Sequence, residues 1–170
     1  MKKNITLCVI MLLTIGIIWF NPDILFASNA STIRTSLIFS DTGNDATLTI
    51  TCTGDDANGD FDSLILSDTG PYGKLRKGGY QLFYGEVIPG SPGPTASTDL
   101  WIKNSRGTDL LAGGGVDIIA NATITTFHPA VGPSSTPCTI TVDDTLTISF
   151  NTEQDVNSAV CVIVLHFIRE

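Results

Sequence analysis

Oxygen-bearing side chains occur at alternate positions in one short loop, at Asp56, Asn58, Asp60 and Asp62. Calcium loops use this alternation because carboxylate and carbonyl oxygens can then surround a hard cation. The loop is not an EF-hand, since its glycine stands at the fourth position and Ser67 replaces the closing glutamate. The pattern leaves two interpretations, a calcium site of another type and an acidic hairpin turn.

The residues that most often catalyse reactions are few. The chain has two histidines, His128 and His166. His128 precedes a proline at the end of a predicted strand and is expected to be exposed, whereas His166 lies on an apolar strand and is expected to pack. No nucleophile elbow and no zinc-ligand spacing is present. We predict that the chain is not an enzyme, has no catalytic residues and needs no cofactor, and calcium at the acidic loop is the one alternative to that absence.

Aromatic residues suggest a binding surface. Trp101 shares one face of a predicted strand with Asp99 and Lys103, and the apolar residues between them point the other way. An outward tryptophan beside polar groups could stack on a surface glycan or dock on a partner, and Tyr80 and Tyr84 could extend the platform. The alternative is a tryptophan packed between two sheets.

Three cysteines remain if the N-terminal segment is removed, namely Cys52, Cys138 and Cys161. Cys138 and Cys161 lie in segments that read as neighbouring C-terminal strands, so they form the candidate disulfide. Such a bridge would stabilise the fold by about 3 kcal/mol in the chain-entropy model. The alternative is that all three are small buried apolar residues. Cys52, in an alternating strand, is expected in the core.

The N-terminal segment directs the chain to a membrane. Two lysines precede an apolar run over residues 5–20, and Pro22 then stops the helix. The small residues Ser28 and Ala30 stand at the spacing that a signal peptidase reads. We predict a signal peptide over residues 1–30 and export to the periplasm, cell surface or medium. The alternative is a membrane anchor through residues 5–20, and membrane contact is expected only there.

The charge balance argues against nucleic acid as a partner. The chain has a formal net charge of -8. After the leader its basic residues are scattered, and Lys74, Arg76 and Lys77 form the only cluster there. Neutralising phosphates requires a continuous positive surface, which this distribution does not supply.

Alternation of apolar and polar residues dominates residues 31–170. Ala46–Cys52 and Leu146–Phe150 alternate strictly, as half-buried strands do. Ser158–Ile168 is apolar on both faces, which is typical of a strand in the middle of a sheet or at a contact between protomers. Further candidate strands are Ile33–Phe39, Ser63–Ser67, Tyr80–Val87, Thr98–Lys103, Val116–Phe127 and Cys138–Val142. No stretch after the leader shows convincing helical periodicity.

These segments define an all-β fold class. We predict a single antiparallel β-sandwich or small barrel of about eight or nine strands over residues 31–170, preceded by the hydrophobic leader helix.

The order of features from Gly79 to Glu170 is similar to that of a known group. A Gly79–Leu82 strand leads through the Pro89–Thr95 segment into Asp99–Gly115, and Val162–Phe167 closes the chain. This order resembles small bacteriophage and prophage proteins regarded as virion structural components. The resemblance covers about half of the chain. It implies a structural β module and brings no catalytic residues with it.

The sequence therefore predicts an exported, non-enzymatic module that is virion-like or assembles at a surface. Its expected partners are other protein chains, foremost further copies of itself, through exposed sheet edges. The alternative is a domain that binds a carbohydrate or another surface ligand, with calcium at the acidic loop as an aid.

Overall fold

The computed structural model describes residues 31–131, 136–141, 145–151 and 156–169. These residues form eleven strands and one helix. In chain order they are β1 (Thr32–Phe39), β2 (Asp45–Thr53), β3 (Leu64–Leu66), α1 (Gly70–Lys77), β4 (Gln81–Pro89), β5 (Leu100–Asn104), β6 (Thr125–Phe127), β7 (Ala130–Val131), β8 (Thr136–Pro137), β9 (Ile140–Thr141), β10 (Leu146–Phe150) and β11 (Val160–Ile168). The predicted leader, residues 1–30, lies outside the described residues.

Most strands belong to two antiparallel sheets. The large sheet has the order β1-β2-β11-β4-β6, and β9 also pairs with β4. The small sheet has the order β3-β10-β5, and β7 pairs with β8 in a separate ribbon. The prediction of a central C-terminal strand is confirmed, because β11 lies between β2 and β4. The sheets are not closed into a barrel, which favours the sandwich over the predicted alternative.

The two sheets bury one common core. Alternate residues of β2 and β11 are almost inaccessible to solvent, including Ile50 and Ile163 at 0% exposure. The inward residues of the small sheet, among them Ile102 and Ile148, belong to the same cluster. Burying each such side chain contributes about 1.5–3 kcal/mol relative to an exposed one. The strict alternation in the sequence is thus the pattern of two sheets that each turn one face inward.

Helix α1 is a departure from the sequence prediction, which placed no helix after the leader. Pro71 stands in its first turn, where the missing N–H costs nothing. Tyr72 and Leu75 are buried in the core, and the basic residues of the last turn favour the negative end of the helix dipole. Two turns are too short to produce a recognisable helical period in the sequence.

The predicted strand Val116–Phe127 is also corrected. Only Thr125–Phe127 is a strand, and residues 110–117 form successive turns. Asp117 has a left-handed backbone with φ of 53°, which ends extended structure there. Ile119 is fully buried and forms an isolated bridge with Thr98. The buried Ile119 therefore anchors this loop beside the small sheet.

No helix among the described residues is long and apolar enough to cross a membrane.

Candidate functional site

The outward side of the small sheet carries a tryptophan between polar residues. We call this surface the tryptophan face, and it consists of Asp99, Trp101, Lys103, Thr147, Ser149 and Asn151. Trp101 lies opposite Ser149 and Lys103 lies opposite Thr147 in the β5–β10 register. The Lys103 ammonium lies 5.4 Å from the centroid of the Trp101 ring. Trp101 is half-buried, so the structure places it outside the space between the sheets, with its ring on the outward side.

A polar cleft adjoins this face where Asp99 precedes β5. The Asp99 N–H donates to Asn151 Oδ1 at 3.2 Å, and the Asp117 N–H donates to Asp99 Oδ1 at 2.9 Å. The cleft has a volume of about 440 Å³ and is lined by Thr95, Ala96, Ser97, Thr98, Asp99, Val116, Asp117 and Asn151. Carboxylate, amide and hydroxyl groups therefore surround a space next to the tryptophan.

The outward side of the large sheet has a different chemistry. Three cross-strand rows define this outer face: Arg34, Thr51, Val162 and Ile88; Ser36, Thr49, Val164, Glu86 and Thr126; and Ile38, Thr47, His166 and Tyr84. Most of its central side chains are β-branched and half-buried. Because β-branched side chains have few rotamers, they lose little entropy when another surface covers them.

Both histidines lie in one aromatic cluster at the end of this outer face. The rings of Tyr84 and His166 are stacked, with centroids 4.1 Å apart and planes at 8°. His166 Nε2 lies 3.8 Å from Glu86 Oε2 and has no hydrogen-bond partner among the described residues. Phe83 and His128 extend the cluster, at 5.5 Å and 6.1 Å from the Tyr84 ring.

A β-bulge produces the exposure of Phe83. The β4–β11 register shifts at this point, so that His166 faces Tyr84 and Phe167 faces Leu82. Phe83 is the extra residue and is 43% exposed. Cavities of about 270 Å³ and 230 Å³ lie on its two sides. The second cavity is lined by Phe83, His128, Pro137, Cys138 and Thr139, and no carboxylate is among these residues.

Strand β1 forms a long unpaired edge of the large sheet. It pairs with β2 over its whole length, and among the described residues no strand pairs with its other side. Six of its eight residues are exposed, including Ile38 at 66% and Phe39 at 38%. A cavity of about 140 Å³ opens between β1, β3 and the start of α1. We call the side of β1 that faces away from β2 the open edge.

The remaining sheet edges are short or covered within the described part of the chain. Strand β3 has three residues, and β6 and β9 share the far side of β4. The loop after β5 covers that strand, because the Leu100 N–H donates to the Gly115 carbonyl at 2.8 Å and the Leu110 N–H donates to the Ile102 carbonyl at 2.7 Å. A Cβ on Gly115 would lie 1.8 Å from the Leu100 oxygen, so only glycine permits this approach.

The predicted platform residues do not converge. Tyr80 is 3% exposed, and its hydroxyl donates to the Gly43 carbonyl at 2.6 Å. Tyr84 lies on the outer face of the large sheet, whereas Trp101 lies on the tryptophan face of the other sheet. The three aromatic residues therefore occupy three separate environments.

Hydrogen bonds hold the acidic loop, both within the loop and to Ser31 and Ser158 outside it. Asp55 Oδ1 accepts from the Ala57 N–H at 2.6 Å, and the Asn58 amide donates to Asp60 Oδ2 at 2.8 Å. Asp56 accepts from the Ser158 hydroxyl, and the Asp62 N–H donates to a serine hydroxyl. Within the described residues no group of three or more His, Cys, Asp and Glu is placed to hold a metal. Calcium at this loop stays a prediction, and a melting temperature that does not change in millimolar calcium would exclude it.

The three described cysteines are free in this structure, and the Cys138–Cys161 disulfide stays a prediction. Cys161 lies opposite Cys52 in the β2–β11 register, on the buried side of the sheet. Cys138 borders the cavity beside His128. Burial raises the pKa of both Cys52 and Cys161 to about 12, and for Cys161 the neighbouring Cys52 adds to the effect. Their thiols are therefore neutral core groups at physiological pH.

Sequence reasoning missed the aromatic cluster and the polar cleft. Alternation does place Tyr84 and Glu86 on one face of β4, and His166 with the outward valines of β11. However, their contact depends on the β4–β11 register and on the bulge. Asn151 and Asp117 join Asp99 through loop geometry that no local pattern reveals.

The fold is a sandwich-like pair of antiparallel sheets. No protein-family model matches the chain, and no curated protein matches it. The chain is similar to one in a solved structure described as the acidic stable capsid structure of Helicobacter pylori bacteriophage KHP30, with 12% identity and a TM-score of 0.39. The match covers 80% of this chain and 94% of that chain. A similarity of this extent does not define a family or a function.

Proposed function

We propose that this chain is an exported, non-enzymatic structural module that assembles with further copies of itself through the open edge of β1. The observation that carries the proposal is the combination of length and exposure in β1. Within the described part of the chain, eight consecutive residues pair on one side only, and six of them are exposed. An unpaired edge of this kind is a template for pairing with another chain.

The composition of β1 supports pairing. Natural sheets protect their edges with short strands, charges, proline, bulges or a covering loop. Strand β3 is short and β5 is covered, whereas β1 has one charged residue, Arg34, and no proline. It therefore carries little of the protection that the other edges have.

Charge favours a second copy at this place. The chain has a net charge of -8, so two copies repel each other over most of their surfaces. Strand β1 has no acidic residue, and Arg34 gives it a positive charge. Two copies that meet here keep their acidic residues away from the contact.

The geometry that we propose is an antiparallel pair of β1 strands about a two-fold axis. Such a contact is isologous, so the same residues occur on both sides. With Ser36 at the axis, Arg34 lies opposite the partner copy's Ile38, and the two arginines do not face each other. The large sheet then continues across two copies, and the outer faces of both form one surface.

Export and the lack of catalysis are parts of the same proposal. The lysines and apolar run before Pro22 support export. Among the described residues, those lining the cavity beside the exposed His128 include no carboxylate. His166 is stacked on Tyr84, and its Nε2 lies 3.8 Å from Glu86 Oε2, beyond hydrogen-bond distance. This arrangement supports a non-enzymatic role. The sequence resemblance to virion structural proteins supports a role in a virion-like or surface assembly.

Light scattering on the exported chain tests the proposal. We expect a dimer, so that the average mass rises from that of one copy toward that of two as the concentration increases through the micromolar range. Raising the ionic strength should strengthen association, because salt screens the repulsion between two acidic copies. A strict monomer throughout this range would contradict the proposal.

A further inference from the structure

We infer that the tryptophan face and its adjoining cleft bind a neutral, hydroxyl-rich ligand, namely an uncharged oligosaccharide. This inference is independent of assembly through β1, because it concerns the outward side of the other sheet. It differs from the platform that the sequence suggested, since Tyr80 is buried and Tyr84 lies on the large sheet.

The first argument is the linear order of chemical groups. Asp99, Trp101 and Lys103 point outward at successive alternate positions, while Leu100 and Ile102 between them are 0% exposed. Alternate residues of a strand are about 7 Å apart, so the aromatic ring has a carboxylate on one side and an ammonium on the other. The Asp99 carboxylate, the Trp101 ring and the Lys103 ammonium thus follow one another from the residue before β5 into that strand.

The second argument is the match with sugar chemistry. A sugar ring has an apolar face of C–H groups and a rim of hydroxyls that both donate and accept hydrogen bonds. An outward-facing tryptophan can stack on the C–H face of the sugar, while carboxylate and amide groups form hydrogen bonds with its hydroxyls. On β10, Ser149 lies opposite Trp101, and Asn151 is bonded to the Asp99 backbone.

The third argument concerns size and charge. The cleft beside Asp99 has about 440 Å³, a volume within the usual range of small-molecule sites. Among its described lining residues, the ionisable side chains are the two carboxylates of Asp99 and Asp117. An acidic sugar would meet like charges there, so the ligand class is neutral. Nucleic acid is disfavoured for the same reason.

Lys103 must move when a ring stacks on Trp101, because its ammonium lies over the indole at 5.4 Å. This contact is a cation–π interaction at a partly exposed position, and such contacts are weak. The flexible lysine can leave the ring and donate to a hydroxyl of the ligand. In the unliganded protein it shields the apolar ring face from water.

The test uses the exported chain with Trp19→Phe, so that Trp101 is the only tryptophan whether or not the leader is retained. The neutral probes are cellohexaose, maltohexaose, mannohexaose and N-acetylchitohexaose, and an oligogalacturonate is the acidic probe. We expect a saturable change in tryptophan fluorescence with at least one neutral probe and none with the acidic probe. No saturable change with any neutral probe, or tighter binding of the acidic probe, would overturn the inference.

Variants locate the site by saturation-transfer NMR with the probe that binds. Trp101→Ala should weaken binding at least tenfold, and Tyr84→Ala, on the opposite sheet, should leave it unchanged. Ser149→Gln adds bulk beside the ring without removing a buried side chain, so it should also weaken binding if Trp101→Ala does not fold. Binding that survives both changes at the tryptophan face, or that is lost equally in Tyr84→Ala, would contradict the assignment.

Discussion

The two sheets of this sandwich pack on one core, but their outward faces differ in side-chain chemistry and in how the adjoining sheet edge is protected. The outer face of the large sheet is mostly β-branched and ends in the open edge of β1. The tryptophan face has a ring between polar groups, and a loop covers the adjoining edge of β5. An open edge offers backbone groups to another strand, whereas a covered edge leaves only side chains to make contacts. The comparison teaches that one core can support two kinds of surface.

The largest expected effect distinguishes the core from the outer face of the large sheet. Ile163 is 0% exposed and its neighbour Val164 is half-buried on the other side of β11. Ile163→Ala should lower the free energy of unfolding by about 2–5 kcal/mol, because it leaves a cavity. Val164→Ala should cost about 1 kcal/mol or less in the monomer. Urea unfolding measures both, and equal losses would mean that the outer face is a second core.

The second prediction compares two isoleucines of equal exposure. Ile38 on β1 and Ile65 on β3 are both 66% exposed. Ile38→Lys puts a charge on the open edge and should weaken self-association at least tenfold, or about 1.4 kcal/mol. Ile65→Lys is the matched control and should leave self-association unchanged. Sedimentation of both variants measures the effect, and equal weakening would remove the distinction between the two edges.

The remaining predictions concern the cysteines. Cys52 and Cys161 should resist alkylation at pH 8 in the folded protein, whereas half-exposed Cys138 should react. A native Cys138–Cys161 disulfide would instead leave Cys52 as the only free thiol among these three, which counting thiols in denaturant would reveal.

The same thiols predict a pH dependence of stability. Their pKa is raised by burial from 9.0 to about 12 in the folded protein. Below pH 9 both folded and unfolded chains keep the protons, so the full stability is present. Between pH 9 and 12 the unfolded chain releases them first, and stability falls. Replacing both cysteines by alanine should flatten this decline in urea titrations, and an unchanged decline would assign it to other groups.

Much of the fold could be predicted from sequence because alternation reports burial directly. The alternating segments became strands β2 and β10, as predicted for Ala46–Cys52 and Leu146–Phe150. The C-terminal segment is apolar on both faces, which correctly predicted that β11 lies in the middle of a sheet. Helix α1 was missed because two turns with Tyr72 and Leu75 inward are too short to show a period. The Val116–Phe127 segment was misread because its buried Ile119 anchors a loop and not a continuous strand.

The candidate surfaces were harder to predict than the strands. The outward position of Trp101 follows from alternation with Leu100 and Ile102, and the structure places it so. The open edge of β1 depends on which strands neighbour each other in space, which a single strand does not encode. The stacking of Tyr84 on His166 depends on register and a bulge.

Hydrogen exchange in β1 tests the central claim most directly. If two copies pair through the open edge, the β1 amides should exchange more slowly as the protein concentration rises through the micromolar range, while those of β3 should not change. Exchange in β1 that is the same at every concentration would contradict assembly through this strand.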